Sequence, residues 1–103
     1  MTNKEYIEKA IELINKYQDV TVKLISFKED RYSIDIKIWY RRFEPGATPL
    51  DFSLALPVDY IAKGGDDRFD GPKYASIPDH ITGDNRTLLR LAYMIWVCIK
   101  NRN

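Results

Sequence analysis

The chain has 103 residues, of which 45% are hydrophobic and 30% charged, and its 16 basic and 15 acidic side chains leave a net charge of +1. These values are typical of one globular domain and exclude a long disordered chain or a strong polyelectrolyte. The one cysteine, Cys98, excludes an internal disulfide framework. No apolar leader follows Met1, and the longest apolar run, 88–99, is shorter than the roughly 20 residues that span a bilayer. We therefore expect one soluble, cytoplasmic domain over residues 1–103, with no membrane partner.

The first 17 residues predict an amphipathic helix over 3–17. Thr2 and Glu5 have the spacing of a capping box, in which each side chain bonds a backbone N–H at the start of a helix. Apolar residues recur at steps of three and four from Ile7 to Tyr17, while the charged residues lie mostly off this stripe.

Two runs of alternating apolar and polar residues, 20–28 and 31–43, predict a pair of strands. The register that places the apolar side chains of both strands on the same face of the sheet requires an odd number of loop residues. A bulged three-residue hairpin loop within 29–31 meets this requirement and pairs Leu24 with Ile36.

After a proline- and glycine-containing loop, the alternation over 50–56 predicts a third strand, which Pro57 ends. The last helix is predicted over 85–100, with Asp84 as its N-cap. Between them, residues 57–83 are irregular, with an extended stretch expected at 73–77. This segment carries five large apolar side chains and is either a cover for the core or a lid over a site: Tyr60, Ile61, Phe69, Tyr74 and Ile77.

The predicted fold is α+β in the order α-β-β-β-α, a three-stranded antiparallel meander with both helices on one face. This order of elements resembles the double-stranded-RNA-binding domain over most of the chain. The resemblance is one of topology alone. The basic cluster that opens the last helix in that family is absent from 84–90, and the first helix carries glutamates where the family grips RNA.

Residue types that carry catalysis or bind metals are sparse. His80 has Asp79 and Ser76 nearby, but this spacing is not diagnostic of a hydrolytic triad. One histidine and one cysteine cannot supply the ligands that zinc prefers. Asp66, Asp67 and Asp70 lack the spacing of a calcium loop, and a solvated acidic loop is the favoured interpretation. We expect no cofactor, no metal and no catalytic residues, although the sequence leaves enzymatic activity undecided.

A partner-binding surface is predicted on the sheet face opposite the helices. Alternation along the first two strands places three basic and two aromatic side chains there: Lys23, Phe27, Lys37, Trp39 and Arg41. Cations interleaved with aromatics can bind a protein partner, or can stack bases and hold phosphates. A merely solvated face, with Trp39 shielded by lysine stems, is the third interpretation.

A second contact surface is predicted on the last helix, which is apolar all round from 88 to 99 except at Arg90. Winding the helix leaves Tyr93, Met94 and Val97 opposite the face that packs on the sheet. Either residues 57–83 cover this strip or a second copy of the chain does. Self-association as a homodimer is the favoured prediction.

These features favour a small non-catalytic protein that binds another protein as an adaptor, regulator or inhibitor, by analogy with small proteins of phages and mobile elements. The alternative is a nucleic-acid-binding module that uses the face around Trp39.

Overall fold

The computed structural model describes residues 1–70 and 76–102. The described residues form an α+β fold in the predicted order α-β-β-β-α. The two helices are α1 (Asn3–Tyr17) and α2 (Arg86–Lys100), and the strands are β1 (Val20–Glu29), β2 (Ser33–Arg42) and β3 (Leu50–Pro57). The sheet is an antiparallel meander with β2 in the centre. Within the described residues, no helix is long and apolar enough to cross a membrane.

Helix α1 begins where the sequence predicts, because Thr2 and Glu5 form the expected capping box. The Glu5 backbone N–H donates to the Thr2 hydroxyl at 3.2 Å, and the Thr2 N–H donates to the Glu5 carboxylate at 3.0 Å. At the N-terminus of α2 the prediction is wrong by one residue. Asn85, not Asp84, is the N-cap, and its side-chain oxygen accepts a hydrogen bond from the Leu88 N–H.

The predicted register of β1 against β2 is wrong by two residues, since Leu24 lies opposite Ile38 rather than Ile36. Three residues, 30–32, separate the two strands, one position later than the predicted 29–31, and Glu29 still pairs with Ile34. The predicted bulge in the loop is wrong, because the irregularity lies inside β1. The pairing shifts between Leu24 and Ser26, so that Ile25 is the extra residue of a β-bulge. A two-residue shift alone keeps every side chain on its predicted face, whereas the bulge reverses the faces for the rest of β1.

Both helices pack on one face of the sheet and enclose the hydrophobic core. The sheet contributes the inward side chains of all three strands, and the helices contribute their apolar stripes. The fully buried side chains at its centre include Ile7, Ile14, Ile34, Ile38, Leu91, Ile95 and Ile99. Burial of this kind supplies most of the stability of a small domain.

The described part of segment 57–83 contributes side chains to the core, which favours the interpretation of this segment as a cover. Ile61 and Ile77 are buried, and Phe69 packs against the core from a short 3-10 helix at Asp67–Phe69. Tyr74 and most of the predicted extended stretch, 73–75, lie outside the described residues.

Arg90 of α2 holds segment 57–83 against the helix through hydrogen bonds and an ion pair. Its guanidinium donates to both carboxylate oxygens of Asp70, at 2.6 and 2.7 Å, and to the Gly64 carbonyl at 2.8 Å. Gly65 has a φ of 79°, and a Cβ placed there would lie 3.2 Å from the Cβ of Arg90. A glycine is therefore required for the chain to pass this close to the helix.

The predicted exposed strip on α2 is wrong for Tyr93 and Met94, because both side chains are buried within the chain, while Val97 is half-buried. Tyr93 is fully buried and its hydroxyl donates to the Ile77 carbonyl at 2.6 Å. Burial also raises the pKa of Tyr93. The premise for self-association through this strip is removed, since residues of the cover occupy the position that a second copy was expected to take.

Candidate functional site: the open face of the sheet

The sheet face opposite the helices, here called the open face, is the candidate site. It carries the outward side chains of all three strands. Those of Lys23, Ser26, Lys28, Asp35, Lys37, Arg41, Asp51, Ser53 and Ala55 are exposed, and those of Thr21, Ser33 and Trp39 are half-buried. The face is mostly polar, with Trp39 on its central strand.

Four of the five predicted binding residues lie on the open face, with Lys23, Lys37 and Arg41 next to Trp39. Lys23 lies directly opposite Trp39 on the neighbouring strand, and its ammonium nitrogen sits 5.0 Å from the centroid of the Trp39 ring. This distance is within the range of a cation–π interaction. Lys37 and Arg41 flank Trp39 on the same strand, two residues away on either side.

Asp51 lies on the third strand, opposite Trp39, and its carboxylate is 3.9 Å from the Lys37 ammonium. Both side chains of this ion pair are about half-exposed, so the pair is screened by solvent and adds little to stability. The pair places the Lys37 ammonium beside Asp51, the residue that lies opposite Trp39.

The fifth predicted residue, Phe27, does not lie on the open face, so that prediction is wrong. The bulge at Ile25 places Phe27 opposite the buried Ile36, and Phe27 packs against the core. The sequence held a signal for this. The apolar positions of β1 change from even (Val22, Leu24) to odd (Phe27), and such a break in alternation marks a bulge.

The same bulge brings to the open face two residues that plain alternation along β1 assigns to the helix side. Ser26 lies opposite Lys37, and Lys28 lies opposite Asp35. Ile25 itself is left 51% exposed at the sheet edge. The open face thus has four cations against two carboxylates: Lys23, Lys28, Lys37 and Arg41 against Asp35 and Asp51. These six charges sum to +2, which suits an acidic surface.

Two carboxylates of the acidic loop, Asp66 and Asp70, form ion pairs with arginines and are not arranged to hold a metal ion. The Arg68 guanidinium lowers the pKa of Asp66 through a hydrogen bond of 2.6 Å, and Arg90 lowers the pKa of Asp70 in the same way. Over residues 1–70 and 76–102, no group of three His, Cys, Asp or Glu side chains could hold a metal ion. His80 lies exposed on a short 3-10 helix, Asp79–Thr82.

A cleft of about 440 Å³ opens beside the end of β2, between Tyr40, Arg42 and the loop that leads to β3. Arg42 is partly engaged there, because one of its nitrogens donates to the Ile99 carbonyl at 2.8 Å near the C-terminus of α2. The Tyr40 hydroxyl is buried and has no hydrogen-bond partner among the described residues. The cleft lies at the end of the sheet and is separate from the Trp39 cluster.

Comparison of the chain with models of protein families, with curated proteins and with solved structures finds no significant match.

Proposed function

We propose that this chain is a small non-catalytic binding protein whose open face docks on an acidic surface of another protein. The observation that carries the proposal is the cluster around Trp39. A half-buried tryptophan is surrounded by Lys23, Lys37 and Arg41 on a face that no described helix covers. Tryptophan and arginine are the residues most enriched among binding hot spots.

The geometry favours a protein over a nucleic acid as the partner. A base that stacked there would have to displace the Lys23 ammonium, which lies 5.0 Å from the centroid of the Trp39 ring, whereas a carboxylate of a protein partner could pair with that ammonium where it lies. Stacking surfaces for nucleic acids also use several aromatic rings in succession, whereas among the paired residues of the three strands Trp39 is the one aromatic side chain on the open face. Two carboxylates, Asp35 and Asp51, further reduce attraction to phosphates.

The test begins with capture of partners from a lysate of the source cells by the wild-type chain and by a Trp39→Ala variant. The affinity of a protein captured by wild type is then measured by calorimetry. Trp39→Ala is expected to weaken binding by about 2 kcal/mol, or about 30-fold, as for a hot-spot tryptophan. Tyr32→Ala is the matched control, because Tyr32 is 72% exposed in the hairpin loop, outside the cluster. Equal affinities for wild type and folded Trp39→Ala would refute the proposal.

Nucleic-acid binding through the same face is the second candidate, supported by the excess of four cations over two carboxylates. A titration of single- and double-stranded nucleic acid at several salt concentrations distinguishes the two. Binding that falls steeply as salt rises, and that Arg41→Ala weakens, would favour the nucleic acid. The protein-partner proposal predicts weak binding that depends little on the strand type.

A further inference from the structure

The two edges of the sheet differ in whether their backbone groups are already paired. On β1, the Val22 N–H donates to the Asn15 side-chain oxygen at 2.6 Å, and the Asn15 amide donates to the Val22 carbonyl at 2.9 Å. The Asn15 amide therefore takes the place of a neighbouring strand. The bulge at Ile25 then interrupts the regular spacing of the remaining edge. Both are devices that keep an edge strand from pairing with another chain.

The edge of β3 has neither device. In an antiparallel ladder, residues alternate between pointing their N–H and C=O towards one neighbouring strand and towards the other. Val58, just after β3, points its backbone N–H towards the β2 side, where it donates to the Tyr32 carbonyl at 3.1 Å. The even-numbered residues of β3 thus bond β2. The backbone groups of Asp51, Ser53 and Ala55 point outward, and no described residue bonds them.

We propose that β3 pairs with β3 of a second copy of this chain, antiparallel about a two-fold axis at Ser53. The two three-stranded sheets then form one continuous sheet. Ser53 lies opposite Ser53 of the second copy, and Asp51 lies opposite Ala55. Each of these pairs exchanges both N–H···O bonds, because all three residues have outward backbone groups.

The prolines that flank β3 support this register. With the axis at Ser53, Pro49 of one copy lies opposite Pro57 of the other, and neither residue has an N–H. The ladder therefore ends at the same place on both strands, and no N–H is buried without an acceptor beyond it. A register moved by two residues would place a proline opposite a residue that has a donor.

The side chains also match on both faces. On the helix side, Phe52 lies opposite Leu54 of the second copy, and Leu54 is only half-buried within one chain. This contact extends the apolar layer across the interface. On the open side, Asp51 meets Ala55 and Ser53 meets Ser53, so no like charges are directly opposed. The pairing is independent of the partner proposed above, and it would place two open faces side by side on one sheet.

The test is sedimentation equilibrium of the wild-type chain and of Ser53→Glu across a wide range of concentrations. Wild type is expected to reach twice the 12.1 kDa mass of one chain. Ser53→Glu places two carboxylates about 5 Å apart across the axis and should weaken the dimer by about tenfold or more. Within its own chain the new carboxylate lies beside Lys37, so the fold is expected to persist. Thr21→Glu is the matched control, since Thr21 lies on the open face of the other edge strand beside Arg41.

Two further measurements do not depend on the stability of one variant. A mixture of Ser53→Glu and Ser53→Lys should form a heterodimer tighter than either homodimer. In the wild-type chain, exchange of the Ser53 and Ala55 amide hydrogens should slow as concentration rises. A wild-type chain that stays at 12.1 kDa at all attainable concentrations would overturn the proposal. So would a dimer that Ser53→Glu and Thr21→Glu weaken equally.

Discussion

Removal of the Tyr93 hydroxyl should destabilise the protein although it leaves the core volume almost unchanged. The hydroxyl donates a 2.6 Å bond to the Ile77 carbonyl, and both residues are fully buried. A net hydrogen bond contributes about 0.5–1.5 kcal/mol, and a buried carbonyl left without a donor costs about 1–3 kcal/mol. Because water cannot reach this carbonyl, we expect Tyr93→Phe to lower the free energy of unfolding by about 2 kcal/mol.

The assay is equilibrium unfolding in urea, followed by the fluorescence of Trp39 and Trp96. With a slope of about 2 kcal/mol per molar urea, the expected loss moves the midpoint down by about 1 M. The control is Tyr32→Phe, which removes the same hydroxyl from a side chain that is 72% exposed and should change stability by less than about 0.5 kcal/mol. Equal midpoints for the two variants would refute the reasoning, because they would mean that residues around Ile77 do not dock on α2 and that the strip at Tyr93 is open.

Two other residues give separate tests of the fold. Asn15→Ala removes both hydrogen bonds to Val22, a loss of about 1–3 kcal/mol, and regains about 0.5 kcal/mol of helix propensity. A net loss of about 1–2 kcal/mol with faster aggregation is expected, and a variant as stable as the exposed control Glu12→Ala would contradict the role of Asn15 at the edge. Asp70→Asn breaks the ion pair with Arg90, which holds the pKa of Asp70 below its ordinary value of 3.8. The pair therefore stabilises the fold above that pH, and this stabilisation is lost as the pH falls through the lower pKa of the folded state. Urea unfolding should show a difference from wild type at neutral pH that shrinks in acid, and a difference that is independent of pH would contradict this origin.

The local periodicities of the sequence were sufficient to predict the fold. The capping pair Thr2 and Glu5, the apolar stripe of α1 and the alternation along each strand all depend on residues a few positions apart. Each element must bury its apolar side, so the predicted arrangement of both helices on one face of the sheet follows and is confirmed.

The errors lie where distant parts of the chain decide the outcome. The bulge at Ile25 depends on how β1 matches both β2 and the helices, and it changed the face of Phe27. The burial of Tyr93 depends on Ile77, which no periodicity relates to α2. The Asn15 bond to Val22 joins a helix to a sheet edge, and an exposed asparagine near the end of a helix gives no signal of it. Four of the five predicted site residues share the open face because plain alternation places them there.

The most direct test of binding through the open face uses the two tryptophans of the chain as reporters. Trp39 lies on the open face, and Trp96 lies on α2, on the other side of the sheet. A captured partner protein is titrated into the ¹⁵N-labelled chain while the two indole N–H resonances are followed by NMR. Docking through the open face predicts that the Trp39 resonance shifts or broadens while that of Trp96 stays in place. Movement of the Trp96 resonance with an unchanged Trp39 resonance would contradict the proposed site.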